Sequence, residues 1–383
     1  MKKNTVYRSL RLTVVFTALL LTAAAAVADA EIEYARGFSA VRRENYTIVR
    51  VRPSREAGEA PAGEVYVLVP EDAEIPNGFE NALIIRTPAE RVTVFAGVPL
   101  SPFVLLNEAG SLAGVGRYRE VTPPGIRERI EEGRIKEFMP GGKPDLAGLL
   151  DLSPTLVLIS PETDKDIRRR LLELNFPVVI HRGGEEPDPL GRAEWIKFTA
   201  LFLDRARAAE ELFDYIEAEY LRLRDTAQRA APAEAAERVL VAAGTPGPEY
   251  WEAPGGGSRT ARLIADAGGR YLWADRKGAE TVRLPMETAL EEAKDADVWI
   301  LPDTGWNTFS DAAAADERTA ELKPFLTGRI YTGTKRLTAA GGNDAGDTGI
   351  AVPSLLLADI IRILYPKTLP EEELTFYKRL KWE

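Results

Sequence analysis

Apolar and polar positions alternate along this chain in three different rhythms, and each rhythm predicts a different kind of element. In residues 31–87 the runs Tyr46-Thr-Ile-Val-Arg-Val, Val65-Tyr-Val-Leu-Val and Ala82-Leu-Ile-Ile alternate with a period near two, with Pro and Gly between them. That pattern predicts antiparallel strands and a small β extension without chemistry of its own. From Arg91 the rhythm becomes strand, then helix, repeatedly. Strands are predicted at Arg91–Phe95, Thr155–Ile159 and Phe176–His181, and helices at Phe103–Leu112, Gly125–Ile135, Asp145–Leu152 and Asp164–Leu174. Alternation of this kind builds a mostly parallel sheet covered on both faces, here a first lobe over residues 88–188. Ligands of such sheets sit at the carboxyl ends of the strands.

The third rhythm is helical and long. Trp195, Phe198, Phe202, Ala206, Ala209, Phe213, Ile216, Tyr220 and Leu223 recur at spacings of three and four, which predicts one apolar stripe on a helix within residues 189–230. Unbroken from Gly191 to Asp225, it would extend roughly 50 Å at 1.5 Å per residue. A second strand–helix block follows over residues 237–366, with strands at Val239–Ala243, Tyr271–Trp273, Asp297–Leu301 and Arg329–Thr332. Its helices are expected at Ser258–Ala267, Met286–Ala293, Thr319–Leu326 and Val352–Leu364, and residues 367–383 form a tail. The fold class is therefore α/β: two Rossmann-like lobes with central, mostly parallel sheets, linked by a single long α-helix and preceded by the β extension.

Composition narrows the setting. Lys2, Lys3, Arg8 and Arg11 precede an apolar stretch from Leu12 to Ala28, and Ala28-Asp29-Ala30 offers small residues where a signal peptidase reads. Residues 1–30 are read as a signal peptide cleaved after Ala30. Removing its four basic residues and one acidic residue moves the formal net charge from −10 to −13. Nucleic acid and anionic membrane demand basic patches, so neither is an expected partner. The chain has no cysteine, which excludes disulfides, thiolate metal sites and a cysteine-borne lipid anchor. The resulting expectation is a free periplasmic protein that is not a lipoprotein, and a monomer. The lone histidine, His181, leaves little material for a zinc site or a serine–histidine hydrolase, and no resident cofactor or metal is expected.

Several local strings then resemble the ferric-siderophore, haem and cobalamin binding proteins of ABC importers. They are Arg91-Val-Thr-Val-Phe followed by Leu112-Ala-Gly-Val-Gly, and Pro144-Asp-Leu-Ala-Gly-Leu-Leu-Asp-Leu-Ser-Pro-Thr-Leu-Val-Leu. In the second block they are Gly255-Gly-Gly-Ser with Leu263-Ile-Ala-Asp-Ala-Gly-Gly, Pro285-Met-Glu-Thr-Ala-Leu before Asp297-Val-Trp-Ile, and Gly328-Arg-Ile-Tyr. The resemblance covers about residues 88–366. It implies two lobes joined by one backbone helix that permits modest closure, and a glutamate on each lobe that docks onto an ABC permease dimer driven by its ATPase. Glu287 stands at the second-lobe position, where the helix dipole also favours a carboxylate. The first-lobe position is Ala147, a departure, and Asp145 is the substitute candidate.

The candidate ligand contacts are aromatic and cationic residues on loops that follow strands: Arg117, Tyr118, Arg119, Phe138 and Met139 in the first lobe. In the second lobe they are Tyr250, Trp251, Arg276, Lys277, Trp306, Lys335 and Arg336. Planar side chains supply apolar area and guanidinium groups pair with anionic chelates, so a small-molecule metal chelate, a ferric siderophore before haem or cobalamin, is the expected cargo. Gly255-Gly-Gly-Ser lacks the lysine of a phosphate loop; an anion-holding turn and a plain tight turn both stay open. Gly341-Gly-Asn-Asp-Ala-Gly-Asp reads as a flexible loop rather than a calcium site. His181 reads as a hydrogen-bonded structural residue rather than a haem ligand. A periplasmic enzyme or a sensor subunit on the same scaffold are the readings from other classes, since fold does not fix function.

Overall fold

The computed structural model describes residues 31–53, 63–80, 82–302, 304–370 and 373–382. The expected leader, residues 1–30, lies outside the described residues. Strands β1 (Phe38–Arg42), β2 (Thr47–Val51), β3 (Glu64–Pro70) and β4 (Leu83–Thr87) form a four-stranded sheet in that order. β2 is antiparallel to both β1 and β3, but β4 runs parallel to β3. The expectation of antiparallel strands is corrected there, because the chain between β3 and β4 is long enough to return to the start of β3.

The first lobe alternates β5 (Val92–Val94), α1 (Ser101–Leu105), β6 (Leu112–Val115), α2 (Pro124–Glu131), β7 (Lys136–Glu137), α3 (Leu146–Leu152), β8 (Leu156–Ile159), α4 (Lys165–Glu173) and β9 (Val178–Ile180). Its sheet has the order β7-β6-β5-β8-β9 and every pairing is parallel. The strand order reverses at central β5, so the crevice beyond its carboxyl end is where such a sheet accepts a ligand.

Two helices follow, α5 (Pro189–Phe202) and α6 (Ala206–Ala230). The expected continuous helix over 189–230 is corrected: Leu203–Arg205 break it, with Asp204 at φ 54° in the left-handed region. Arg205 pairs with Glu108 at 2.6 Å and fixes the corner. The long connecting helix is therefore α6 alone, roughly 37 Å at 1.5 Å per residue. Its buried residues Ala209, Phe213, Ile216, Tyr220, Leu223 and Ala227 follow the predicted stripe.

The second lobe comprises β10 (Leu240–Ala243), β11 (Thr245–Pro246), β12 (Tyr250–Pro254), α7 (Arg259–Asp266), β13 (Arg270–Tyr271), β14 (Thr281–Pro285), α8 (Met286–Ala293) and β15 (Val298–Leu301). It continues with α9 (Phe309–Ala315), α10 (Lys323–Leu326), β16 (Ile330–Thr332), α11 (Thr348–Ala351), α12 (Pro353–Leu364) and β17 (Lys378–Arg379). The main sheet has the order β13-β10-β15-β16-β17, parallel except for β17. Residues 367–383 are thus more than a tail, since they supply this lobe's edge strand. An antiparallel ribbon β11-β12-β14 sits beside it.

Helix α5 positions all of this. Thirteen of its fourteen residues are buried, including Glu194 and Lys197. A helix without an exposed face must be covered all round, and here the covers are the N-terminal sheet, α1, α6, α7, α11 and α12. Trp195 is the meeting point. Its ring lies 4.8 Å from Phe38, 4.7 Å from His181 and 4.7 Å from Phe198, and its Nε1 donates to Glu186 at 3.1 Å. We expect Trp195→Ala to cost about 3–5 kcal/mol by denaturant unfolding, the range for deleting a large core aromatic. A cost no larger than that of a surface substitution, within about 0.5 kcal/mol, contradicts this packing.

Candidate functional site

The loops beyond the carboxyl ends of the first-lobe strands enclose a cavity of about 330 Å³. Its floor is Val94–Leu100 after β5, Gly116–Arg117 after β6 and His181, Gly183 and Gly184 after β9, and its wall carries Arg192 of α5. Its roof is the second lobe's segment from Gly341 to Ile350. A neighbouring cavity of about 490 Å³ shares Phe95, Ala96, Gly97, Arg117 and Glu120 and reaches Met139, Ser160 and Glu162. Together they form one trough along the edge of the first sheet, in the size range of small-ligand sites. Gly97 turns the floor with φ 84°. A Cβ there would stand 2.8 Å from the Ser160 hydroxyl, so a larger residue would both strain the turn and fill the trough.

The roof is held by a clasp between lobes. The Asp347 carboxylate accepts from the amides of Leu100 at 3.1 Å and Ser101 at 2.8 Å, and from the Thr122 hydroxyl at 3.1 Å. Burial nonetheless pushes its carboxyl up, with Asp344 the like-charged neighbour. Arg336 pairs with Asp344 at 2.8 Å, and the Asn343 side chain donates to Gly333 at 3.1 Å. The segment 341–347 is therefore a strap docked across the trough rather than the flexible loop its Gly and Asp content predicts. Its acidic residues go to capping and ion pairing.

The sequence candidates separate into three groups. Arg117 and Met139 line the trough, Arg117 with Glu120 at 3.0 Å. Other candidates make contacts away from both cavities, and for Phe138 and Trp251, sealed in cores, the expected ligand contact is corrected. Phe138 belongs to the first lobe's core, its ring 4.9 Å from Phe95. Trp251 is fully buried against Trp299 and Trp273 and donates to the Ala243 carbonyl at 3.1 Å. Tyr118 turns onto α2, where Arg127 donates to its hydroxyl at 2.6 Å and stacks on its ring at 4.1 Å. Trp306 stands edge-on to Trp299 at 6.1 Å, Arg276 pairs with Glu292 at 3.1 Å, and Lys335 pairs with Glu373 at 3.2 Å. Arg336 serves the strap. Arg119, Tyr250 and Lys277 are exposed, and none of them lines either cavity.

The docking candidates occupy equivalent places. Glu287 and Ala147 are each the second residue of a helix, α8 and α3, and both are exposed. Asp145 is the N-cap of α3 and accepts from the Gly148 amide at 3.0 Å, so its carboxylate has a local role.

His181 borders the cavity, yet it is packed as core between Trp195 and Phe198, and its Nδ1 faces the Gly183 amide at 3.4 Å. Burial lowers its pKa to about 4. With the folded value below the unfolded 6.5, the unfolded chain binds the extra proton between these values. The stability gained by burying neutral His181 is therefore complete above pH 6.5 and is lost as pH falls toward 4. The shift corresponds to roughly 3 kcal/mol at 1.4 kcal/mol per unit. Asp347 and Asp359, pushed up by burial, act in the opposite sense, so the comparison must be made against His181→Phe. Unfolding free energies across that window should decline less for the variant than for the wild type; parallel declines contradict a buried neutral imidazole.

Comparison with known proteins identifies the scaffold. The profile of the periplasmic binding protein family matches residues 103–337. The chain belongs to that family. Among similar structures are a periplasmic haem-binding protein from Pseudomonas aeruginosa (TM-score 0.57, 16% identity, 76% of this chain and 98% of that one) and a molybdate-binding protein from Haemophilus influenzae (TM-score 0.55, 18% identity, 75% and 89%). An Fe3+-hydroxamate transport component from Saccharomonospora viridis is also similar (TM-score 0.52, 18% identity, 73% and 94%). These likenesses show the two-lobed α/β fold. Two uncharacterized lipoproteins of Methanocaldococcus jannaschii are 24% and 25% identical over 84% and 83% of this chain and 77% and 81% of their own length. They overturn the expectation of a protein that is not a lipoprotein, which rested on cysteine content.

The sequence reading missed Arg192, Glu162 and Asp347. Arg192 lies on a helix rather than on a loop after a strand, and Asp347 was hidden in a segment read for its flexibility. The available signal at Arg192 was a cation in the first turn of a helix, where the dipole disfavours one.

Proposed function

We propose that this periplasmic binding protein captures a metal chelate, a ferric siderophore first among the candidates, in the trough under the strap and presents it to an ABC permease. The observation that carries this reading is the trough itself, with cationic Arg117 and Arg192 beside apolar and glycine-rich walls. A chelate arrives with its metal already wrapped, so the protein needs contact area and charge rather than metal ligands. Haem held through an imidazole is disfavoured by the packing of His181, whose ring is shared between Trp195 and Phe198. The haem, Fe3+-hydroxamate and molybdate proteins of the same fold make metal-bearing ligands the natural class to test. Glu287, exposed at the start of α8, is the residue proposed to meet permease arginines, and exposed rim charge acts mainly on encounter rate and specificity.

Trp195 abuts the trough through His181 and reports on its occupancy. Ferric hydroxamate, ferric catecholate and haem should be titrated separately while tryptophan fluorescence is recorded. We expect saturable quenching by a ferric siderophore at equal affinity in the wild type and in Glu287→Ala, and weaker stimulation of the partner ATPase by the variant. Saturable quenching by haem alone, or by none of the three, removes the siderophore reading.

A further inference from the structure

The strap that roofs the trough is held by polar contacts. Of the apolar side chains in residues 338–347, Ala345 alone packs on the core, while Ala339 and Ala340 are exposed. Within the second lobe the strap is a tight hairpin. The Thr338 amide donates to the Gly342 carbonyl at 2.8 Å and the Asp344 amide to the Arg336 carbonyl at 3.1 Å. The Gly342 amide donates to the Thr338 hydroxyl at 2.9 Å, and Arg336 pairs with Asp344. These bonds fix the shape of the strap and none of them involves the first lobe.

The grip on the first lobe is separate and local. One oxygen of Asp347, Oδ1, accepts both the Leu100 and the Ser101 amide, and Oδ2 accepts the Thr122 hydroxyl. Beside them the Ser101 and Thr348 hydroxyls meet at 3.2 Å. Leu100 and Ser101 are the cap and first residue of α1, where no carbonyl of the helix can accept an amide. Asp347 is their only acceptor among the described residues. The hairpin itself meets the first lobe at Gly342, where a Cβ would stand 2.7 Å from the Arg119 carbonyl oxygen.

Unfastening Asp347 therefore frees the strap without unmaking it. The bonds given up are exchanged for bonds to water, so each is of small net value, and the buried carboxylate regains its hydration. The contacts around α5 are of another kind: parting Trp195 from Phe38 and Phe198 exposes apolar area that water does not compensate. The cavity beneath the strap, about 330 Å³, lies at the lower end of the range for small-ligand sites, and lifting the roof enlarges it with both lobes in place. We propose that the strap is a gate: residues 338–346 lift from the first lobe when Asp347 lets go of α1, opening the roofed end of the trough while the lobes stay fixed. The proposal rests on the trough being the ligand site and adds how a ligand reaches its covered end.

The test is amide hydrogen exchange of the full chain, read at Leu100 and Ser101 and, as the reference, at Phe198 inside α5. In the wild type the two strap-held amides should be at least about tenfold less protected than Phe198, because they exchange by local opening. Two variants loosen the gate in different ways: Asp347→Asn weakens the acceptor, and Gly342→Ala wedges a methyl group against Arg119. The ratio of Leu100 to Phe198 exchange should rise at least about tenfold in one or both, and a general loss of stability would not raise it. A ratio near one in the wild type, or one unchanged in both variants, makes the strap a fixed wall and overturns the gate. Ferric hydroxamate is then added to the wild type, and protection at both strap-held amides should shift at least about threefold. Saturable tryptophan quenching by this chelate with that protection unchanged overturns the gate while the trough remains the binding site. Local opening without quenching by any chelate upholds the gate and removes the siderophore reading alone.

Discussion

The structure depends on the burial of α5. A short helix with thirteen of its fourteen residues buried and the other, Arg192, half-buried is stable only if every neighbour stays in place, so the N-terminal sheet and both lobes are committed to one arrangement. Even its polar residues serve this end. Glu194, with no exposed surface, accepts from the amides of Glu33, Tyr34 and Ala35 at 3.0, 2.8 and 2.7 Å and from Lys197 at 2.9 Å. A carboxylate this deep is tolerable only when its oxygens are filled, and filling them stitches the segment before β1 onto the helix. The N-terminal β extension is therefore part of the frame that fixes the lobes.

The same frame decides how the trough is roofed. The strap from Gly341 to Asp347 crosses from the second lobe to the amides opening α1, and α11, which follows it at once, packs on both α1 and α5. One end of the cleft is thus closed by contacts within the protein. The rest of the trough continues past Met139 and Glu162 along the first lobe. Such an arrangement favours small adjustments of loops over the swing of two domains about a hinge.

Much of the architecture was legible because periodicity reports burial. Alternating strand and helix runs located both lobes, and the apolar stripe located α6. The break before α6 was not legible, because Leu203-Asp-Arg205 contains neither Gly nor Pro and a positive φ at Asp204 depends on the corner salt bridge. Trp251 and Phe138 show the limit of reading loops for function: an aromatic beside a strand end can close a core or meet a ligand, and only three-dimensional neighbours decide which. The local pattern of β17 was equally weak, because a two-residue strand is defined by its pairing with β16 rather than by its own sequence.

The central claim is that α5 locks the lobes into one relation around a pre-formed trough. The absence of cysteine makes site-directed spin labelling clean, and Lys165 on α4 and Glu291 on α8 are exposed positions on opposite lobes. With Lys165→Cys and Glu291→Cys labelled together, electron-spin distance measurement should give one narrow distribution. Its mean should move by no more than about 2 Å on adding a binding ferric chelate, the scale of pre-organised complexes. A broad or two-peaked distribution without ligand, or a larger closure on binding, contradicts the locked frame.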